Sequence, residues 1–220
     1  MTTDERWTEV DDYFSPIVDE DAALKDANRA SADAGLPAIQ VAANQGKMLQ
    51  LMARACGARN ILEVGTLGGY SAIWLARALP EGGKLVTLEI SEKHAEVARK
   101  NIARAGLANV DVRVGPALGA LEKMHGEGLP PFDFTFIDAD KPSNLPYFEH
   151  AIALSRKGAV IVVDNVVRAG RVVDEHSDDA NVAGVRRLRD ALANEQRVSA
   201  TVVQTVGAKS YDGFVMAVVL

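Results

Sequence analysis

Two short stretches carry the residue types that could do chemistry. Phe132-Asp-Phe-Thr-Phe-Ile-Asp-Ala-Asp-Lys141 is an apolar run that ends by releasing Asp138, Asp140 and Lys141. Val162-Val-Asp-Asn165 closes a second apolar run with an adjacent carboxylate and carboxamide, Asp164 and Asn165. If the two runs are neighbouring strands of a doubly wound sheet, their ends face one another, and Asp138, Asp164 and Asn165 converge as hard oxygen donors. Without sulfur or imidazole, that set suits Mg²⁺, with Ca²⁺ or Mn²⁺ as alternatives, and leaves positions for water or substrate oxygens. Taken singly, an aspartate at a strand end reads equally as a helix cap or an Asx-turn. Both motifs at one end of adjacent strands favour the cation. A lysine beside a divalent cation holds its proton less tightly than its reference pKa of about 10.4 implies, so Lys141 becomes a candidate base. Away from a cation it is an ordinary surface lysine.

A third stretch, Asn60-Ile-Leu-Glu-Val-Gly-Thr-Leu-Gly-Gly-Tyr-Ser71, reads as strand, glycine turn and helix. An open α/β sheet begins a ligand site in that order, with the turn at the carboxyl end of a strand. A dinucleotide fingerprint begun at Gly65 needs glycine at 67 and 70, where this chain has Leu67 and Tyr70. Side chains there crowd a diphosphate, which argues against a nicotinamide-dependent oxidoreductase. The GK[ST] ending of a phosphate-cradling loop is also missing. A nucleoside ligand without a diphosphate fits better. Glu89 closes the next apolar run, where it can accept hydrogen bonds from ribose hydroxyls or simply cap a helix starting near Ser91. The two readings stay open at this level.

The elements that must position these residues alternate along the chain. Apolar runs predict strands over 61–64, 84–89, 110–114, 132–137 and 158–163, and helical spacing predicts helices near 70–79, 92–105, 116–124, 144–155 and 186–193. Two β-rich runs, 200–206 and 213–220, are close enough to pair as an antiparallel hairpin at one edge of the sheet. Ahead of the sheet, one or two surface helices are expected from Trp7 to Ala34, anchored by Tyr13, Phe14, Ile17, Val18 and Leu24, then a helix from Ala38 to about Cys56. No composition shift divides the chain. It is expected to be one domain, 1–220, with a helical arm over 1–37 and a core over 38–220.

Bulk properties exclude several function classes. The 220 residues carry 30 Asp+Glu against 24 Lys+Arg, a net charge of −6, with no basic tract suited to gripping nucleic acid. No apolar run is long enough to span a bilayer, and the acidic N-terminus lacks a signal core. Cys56, the single cysteine, reads as a small buried side chain, and a reducing cytoplasm is the expected setting. The four histidines show no zinc-binding spacing, and Trp7 and Trp74 read as packing residues. A nucleic-acid methyltransferase would need a basic groove and an NPPY motif or a nucleophilic cysteine. A non-catalytic ligand-binding scaffold would need no DADK or VDN set.

Together, ILEVGTLGGYS, Glu89, Val114-Gly-Pro-Ala117, FIDADK, Tyr147 and VVDN resemble the small, cation-dependent O-methyltransferases of the catechol and caffeoyl-CoA type. The likeness runs from PAIQVAANQGKML to SYDGFVMAVVL; DADK followed by VDN is its specific part, since many methyltransferases share the glycine turn. The resemblance implies a Rossmann-like α/β fold with helices on both faces of a seven-stranded sheet, six strands parallel and the last antiparallel. It implies an S-adenosylmethionine (SAM) site lined by Val41, Glu63, Gly65, Thr66, Ser71, Glu89, Ala117, Asp140 and Tyr147. By the same resemblance Asp138, Asp164 and Asn165 hold a divalent metal, Lys141 acts as base beside Asp138, and the protein is a homodimer acting on a vicinal dihydroxyphenyl acceptor. After Asn165 the chain departs from the plant members: Arg168 and Ala169 stand where those tend to carry tryptophan and asparagine. Leu67 stands where several members have tyrosine. A free catechol, a caffeic-type phenylpropanoid and a flavonoid are therefore equally compatible acceptors.

Overall fold

The computed structural model describes residues 3–220, with side-chain surroundings from residue 5 onward. Helices α1 (Thr3–Val18), α2 (Ala22–Asp33) and α3 (Ala43–Ala55) come first. Then follow β1 (Asn60–Val64), α4 (Tyr70–Ala76), β2 (Lys84–Glu89), α5 (Glu92–Arg104), β3 (Val110–Val114) and α6 (Ala117–Met124). The second half holds β4 (Phe132–Ile137), α7 (Asn144–Leu154), β5 (Ser155–Asp164), α8 (Ala180–Leu192), β6 (Val198–Gly207) and β7 (Ser210–Val219). Single 3-10 turns lie at Lys141–Ser143 and Arg171–Val173.

The strands form one sheet in the order β3-β2-β1-β4-β5-β7-β6. Only β7 runs against its neighbours, because the tight β6–β7 turn forces antiparallel pairing and β7 inserts beside β5. That leaves six parallel strands and an antiparallel last one, as expected, with β6 on the open edge. Alternate side chains feed two apolar layers. Leu62, Val64, Leu88, Phe148, Val163 and Leu188 pack on one face, while Ile61, Trp74, Leu85, Phe134, Phe136 and Val162 pack on the other. Central strands covered on both faces explain why β4 and the second half of β5 are buried at every position rather than at alternate ones.

The register places the site. Val64 pairs with Leu88 on one side and Ile137 on the other, and Ile137 pairs with Val163. The next residue of each strand therefore stands in one row across the carboxyl edge: Glu89, Gly65, Asp138 and Asp164. Strand order reverses between β1 and β4, the crevice where open α/β sheets bind ligands. The contact there is close, for Asp138 N–H donates to Val64 O at 2.8 Å, and a Cβ on Gly65 would lie 2.3 Å from Asp138 O. With φ at +101°, position 65 requires glycine on both counts.

Some boundaries differ from the sequence reading, for physical reasons. Helix α4 stops at Ala76 rather than near 79, as Ala78 and Leu79 tighten to i−3 carbonyls ahead of Pro80. Helix α3 begins at Ala43, leaving 38–42 free to line a cavity. Helix α8 starts at Ala180 rather than near 186, where Asp179 accepts from Asn181 N–H and caps it; Gly184 interrupts the helical pattern of its first turns. Of the expected anchors in the arm, Val18 and Leu24 are buried, whereas Tyr13 (78%), Phe14 (52%) and Ile17 (76%) are exposed. Cys56 is half-buried and donates weakly to Ala53 O. Among the described residues no helix is long and apolar enough to cross a membrane.

Candidate active site

The turn after β1 is held from below by Glu89. Its Oε2 accepts from Leu67 N–H at 2.8 Å and Thr66 N–H at 3.3 Å, and its Oε1 accepts from Ser91 N–H at 3.0 Å. The carboxylate thus braces the glycine turn and the start of α5 while it lines the cavity above. Leu67, at φ +50°, is held in a conformation few side chains adopt, and Glu89 supplies the bonds that hold it. Behind the turn, Asn101 Nδ2 donates to Gly68 O at 2.9 Å and Ala27 O at 3.2 Å, tying α2 to it.

At the other end of the row stands the acidic cluster. Lys141 Nζ donates to Asp138 Oδ1 at 2.8 Å, and both Lys141 (6% exposed) and Asp164 (3%) are withdrawn from water. Asp164 Oδ1 accepts from Asn165 N–H at 2.8 Å and Oδ2 from Gln45 Nε2 at 2.6 Å. Burial, reinforced by the facing charge of Asp138, pushes the Asp164 carboxyl well above the usual range, while Lys141, Asn165 N–H and Gln45 pull the other way. Two facing carboxylates with one lysine between them form a site short of positive charge. The carbonyl of Lys141 is seated against α8, where a Cβ on Gly184 would lie 2.2 Å from it.

A cavity of about 760 Å³ joins the two regions. Val41, Gly65, Thr66, Ser71, Glu89, Ala117, Asp140 and Tyr147 line it, together with Asp138, Lys141 and Asn165. Tyr147 O–H donates to Asp140 Oδ1 at 2.6 Å, bracing α7 against the loop after β4, and burial raises its phenol pKa further above the ordinary value. Asp164 opens instead on an adjoining cavity of about 350 Å³, walled by α3 and the β6–β7 hairpin and shared with Asn165. Among the described residues no group of three or more His, Cys, Asp or Glu side chains is placed to hold a metal; the candidate set has two carboxylates and an amide.

Glu63 lies beneath the wall rather than on it. It is fully buried, Oε2 accepting from Thr87 O–H at 2.6 Å and Oε1 lacking a partner. Burial, with smaller additions from the charges of Asp138 and Glu89, pushes its pKa from 4.5 to about 7 against the hydrogen bonds of Ser71 and Thr87. The native carboxyl keeps a proton that the unfolded chain loses above pH 4.5, so stability falls as pH rises from about 4.5 through about 7. Glu63→Gln is expected to stabilise the ligand-free protein at pH 8 by as much as about 3 kcal/mol, with the gain vanishing near pH 4.5. Thermal melts at both values check this; an offset independent of pH would contradict it.

Sequence reading gave no role to Gln45, Asn101 or Gly184. Gln45 reaches Asp164 across 119 residues of chain and Asn101 reaches Gly68 across 33. Nothing local marks either; only the fold brings them in.

The O-methyltransferase family matches residues 15–217 of this chain. A catechol O-methyltransferase from Niastella koreensis is 53% identical over 212 residues, covering 96% of each chain. Among solved structures, the O-methyltransferase from Bacillus cereus in complex with SAH is 56% identical, with a TM-score of 0.96 and coverage of 98% of this chain and 99% of that one. TomG from Streptomyces achromogenes, solved with SAM, is 52% identical with a TM-score of 0.96, covering 100% and 99%. Identity at this level over nearly the whole length, on the same seven-stranded architecture, means that the chain belongs to the O-methyltransferase family.

Proposed function

We propose that this protein transfers a methyl group from SAM to one hydroxyl of a catechol-type small molecule, with a divalent cation at Asp138, Asp164 and Asn165. The observation that carries the reading is the register row, which sets the glycine turn, Glu89 and Asp138 along one cavity with Asp164 next in the row on an adjoining one. Relatives named for catechol and caffeoyl-CoA methylation support the acceptor class.

The donor set fits a hard cation: oxygen donors only, with burial and a facing carboxylate raising the cost of charge on Asp164. Asp138, Asp164 and Asn165 would hold such a cation, Mg²⁺ by preference, and it would supply positive charge that eases ionisation of a neighbouring phenol. The chain's own residues do the rest. Gln45 and Asn165 N–H fix the Asp164 carboxylate, and Gly184 fixes the loop carrying Lys141. Lys141 Nζ, held at the cavity wall by Asp138, is placed to receive the proton of the hydroxyl to be methylated. Glu89, Thr66, Ser71 and the Tyr147–Asp140 pair shape the other end of the cavity, where they would orient the donor toward the acceptor oxygen. Holding two reactants in that geometry supplies much of the acceleration.

A panel of catechols incubated with SAM and Mg²⁺, with products read by mass, tests the reading. The expected product is 14 Da heavier, the mass of an added CH₂, on vicinal diols and absent on lone phenols. Equal methylation of lone phenols would remove the chelation argument. The reading extends to a homodimer, supported by the apolar face that Tyr13, Phe14 and Ile17 leave uncovered on α1, and to a cytoplasmic, single-domain enzyme without nucleic-acid or membrane partners.

A further inference from the structure

Arg168, Arg171, Arg186 and Arg187 lie on the stretch from the loop after β5 into α8, and the last three are committed. Arg171 pairs with Asp179 at 2.9 Å. Arg186 donates to Val172 O and Asp174 O, and Arg187 to Pro142 O. Arg168 differs: it lines the large cavity beside Asn165 and Lys141, and its Nε–H is buried without a partner. Among the described residues its guanidinium has no hydrogen bond or ion pair. A buried donor left unmatched costs free energy, which a ligand group can recover.

The loop holding Arg168 is fixed rather than slack. Asp212 Oδ1 accepts from both Val167 N–H and Arg168 N–H at 2.9 Å, and Arg168 O accepts from Arg171 N–H. Arg168 and Ala169 are held at positive φ, 56° and 54°, with Gly170 following at 81°. The side chain is therefore presented at a defined place. Lys141, the other cation on this part of the wall, is already paired with Asp138, so among the described residues Arg168 is the cation there left without a hydrogen-bonded partner.

We propose that Arg168 selects the acceptor, a catechol carrying a carboxylate, by receiving that carboxylate while the two hydroxyls face Asp138 and Asn165. The inference rests on the catechol reading and deepens it. Guanidinium and carboxylate match as a planar, two-bond pair, which a lysine reproduces only in part. The anchor also has a geometric consequence. A ring held only through its two hydroxyls can flip about the axis between them and offer either oxygen; a third point of attachment chooses one.

The probes are 3,4-dihydroxybenzoate and its neutral counterpart 3,4-dihydroxybenzyl alcohol, tested on the parent and on Arg168→Gln and Arg168→Lys. Arg168→Gln is expected to lower the benzoate-to-alcohol ratio of kcat/KM by about 10- to 100-fold, mostly through KM, as loss of a charged hydrogen-bonded pair predicts. Arg168→Lys recovers part of it, and the meta-to-para product ratio on the benzoate moves toward unity in Arg168→Gln. An unmoved acceptor ratio, or SAM affinity falling by the same factor as the benzoate's, would overturn the assignment while leaving the catechol reading intact. No turnover of either probe by the parent would overturn both.

Discussion

Asp164→Ala is expected to cut catechol methylation by at least about 10³-fold while SAM affinity stays within about threefold. The residue lies off the wall of the larger cavity, so on the proposed reading its loss removes the cation and the oriented acceptor rather than the donor. Stability supplies an independent readout. The Asp164 carboxyl titrates above its unfolded value because it is buried opposite Asp138, so the ligand-free protein loses stability as pH rises from 3.8 through the raised native value. A cation at the site restores that loss, by about 2.7 kcal/mol at a hundred times its Kd. Melting of the parent at pH 8 should therefore rise with Mg²⁺ and return to baseline with EDTA. Asp164→Asn should be insensitive to both and start from a higher baseline. Full activity of the parent in EDTA would remove the metal from the reaction.

Most of this site was legible before any coordinates, and the reason is topological. Parallel strands buried on both faces are mostly apolar, with Glu63 and Asp133 as exceptions here, so a charged residue closing such a run points to its carboxyl end. Asp138, Asp164 and Glu89 announce themselves in that way, and Gly65 marks the turn by its type. Helix limits were less legible where a glycine interrupted the pattern, as at Gly184 in α8, or where the end tapered into i−3 bonds, as at Ala76. On α1, helical periodicity was visible but its meaning was not: Tyr13, Phe14 and Ile17 have the spacing of core residues and yet face outward. A hydrophobic stripe says that something is to be covered without saying what covers it.

Residues that support the site from behind stayed hidden. Gln45 sits in a helix of ordinary composition, and its bond to Asp164 follows only once α3 is laid against the end of β5. Gly184 looks like a mild defect in α8 until the Lys141 carbonyl is found pressed against it. Glu89 shows a different limit. Ribose acceptor and helix cap were alternatives at the level of sequence, but a carboxylate offers about four lone-pair directions. One oxygen receives the turn's two N–H groups and the other receives Ser91, on the wall of the same cavity. The bracing role leaves lone pairs for the proposed binding one.

Lys141 gives the other large effect. Replacement by Met, which keeps the length and removes the titratable nitrogen, should lower kcat by about 10²- to 10⁴-fold, the range of a positioned general base. KM values for SAM and catechol should move little if Asp138, Asp164 and Asn165 hold the acceptor through the cation as proposed. Charge and basicity need separating, since Lys141 also offsets the two carboxylates at 2.8 Å from one of them. Lys141→Arg keeps the charge but cannot accept a proton at any working pH. If Lys141 acts as base, both variants are slow, and both gain on the parent as pH climbs toward about 10, where a phenol ionises without help. If it acts by charge alone, Arg retains most of the rate and only Met fails. A kcat–pH profile of the three proteins with Mg²⁺ present separates the cases, and a Met variant as fast as the parent would take Lys141 out of the chemistry.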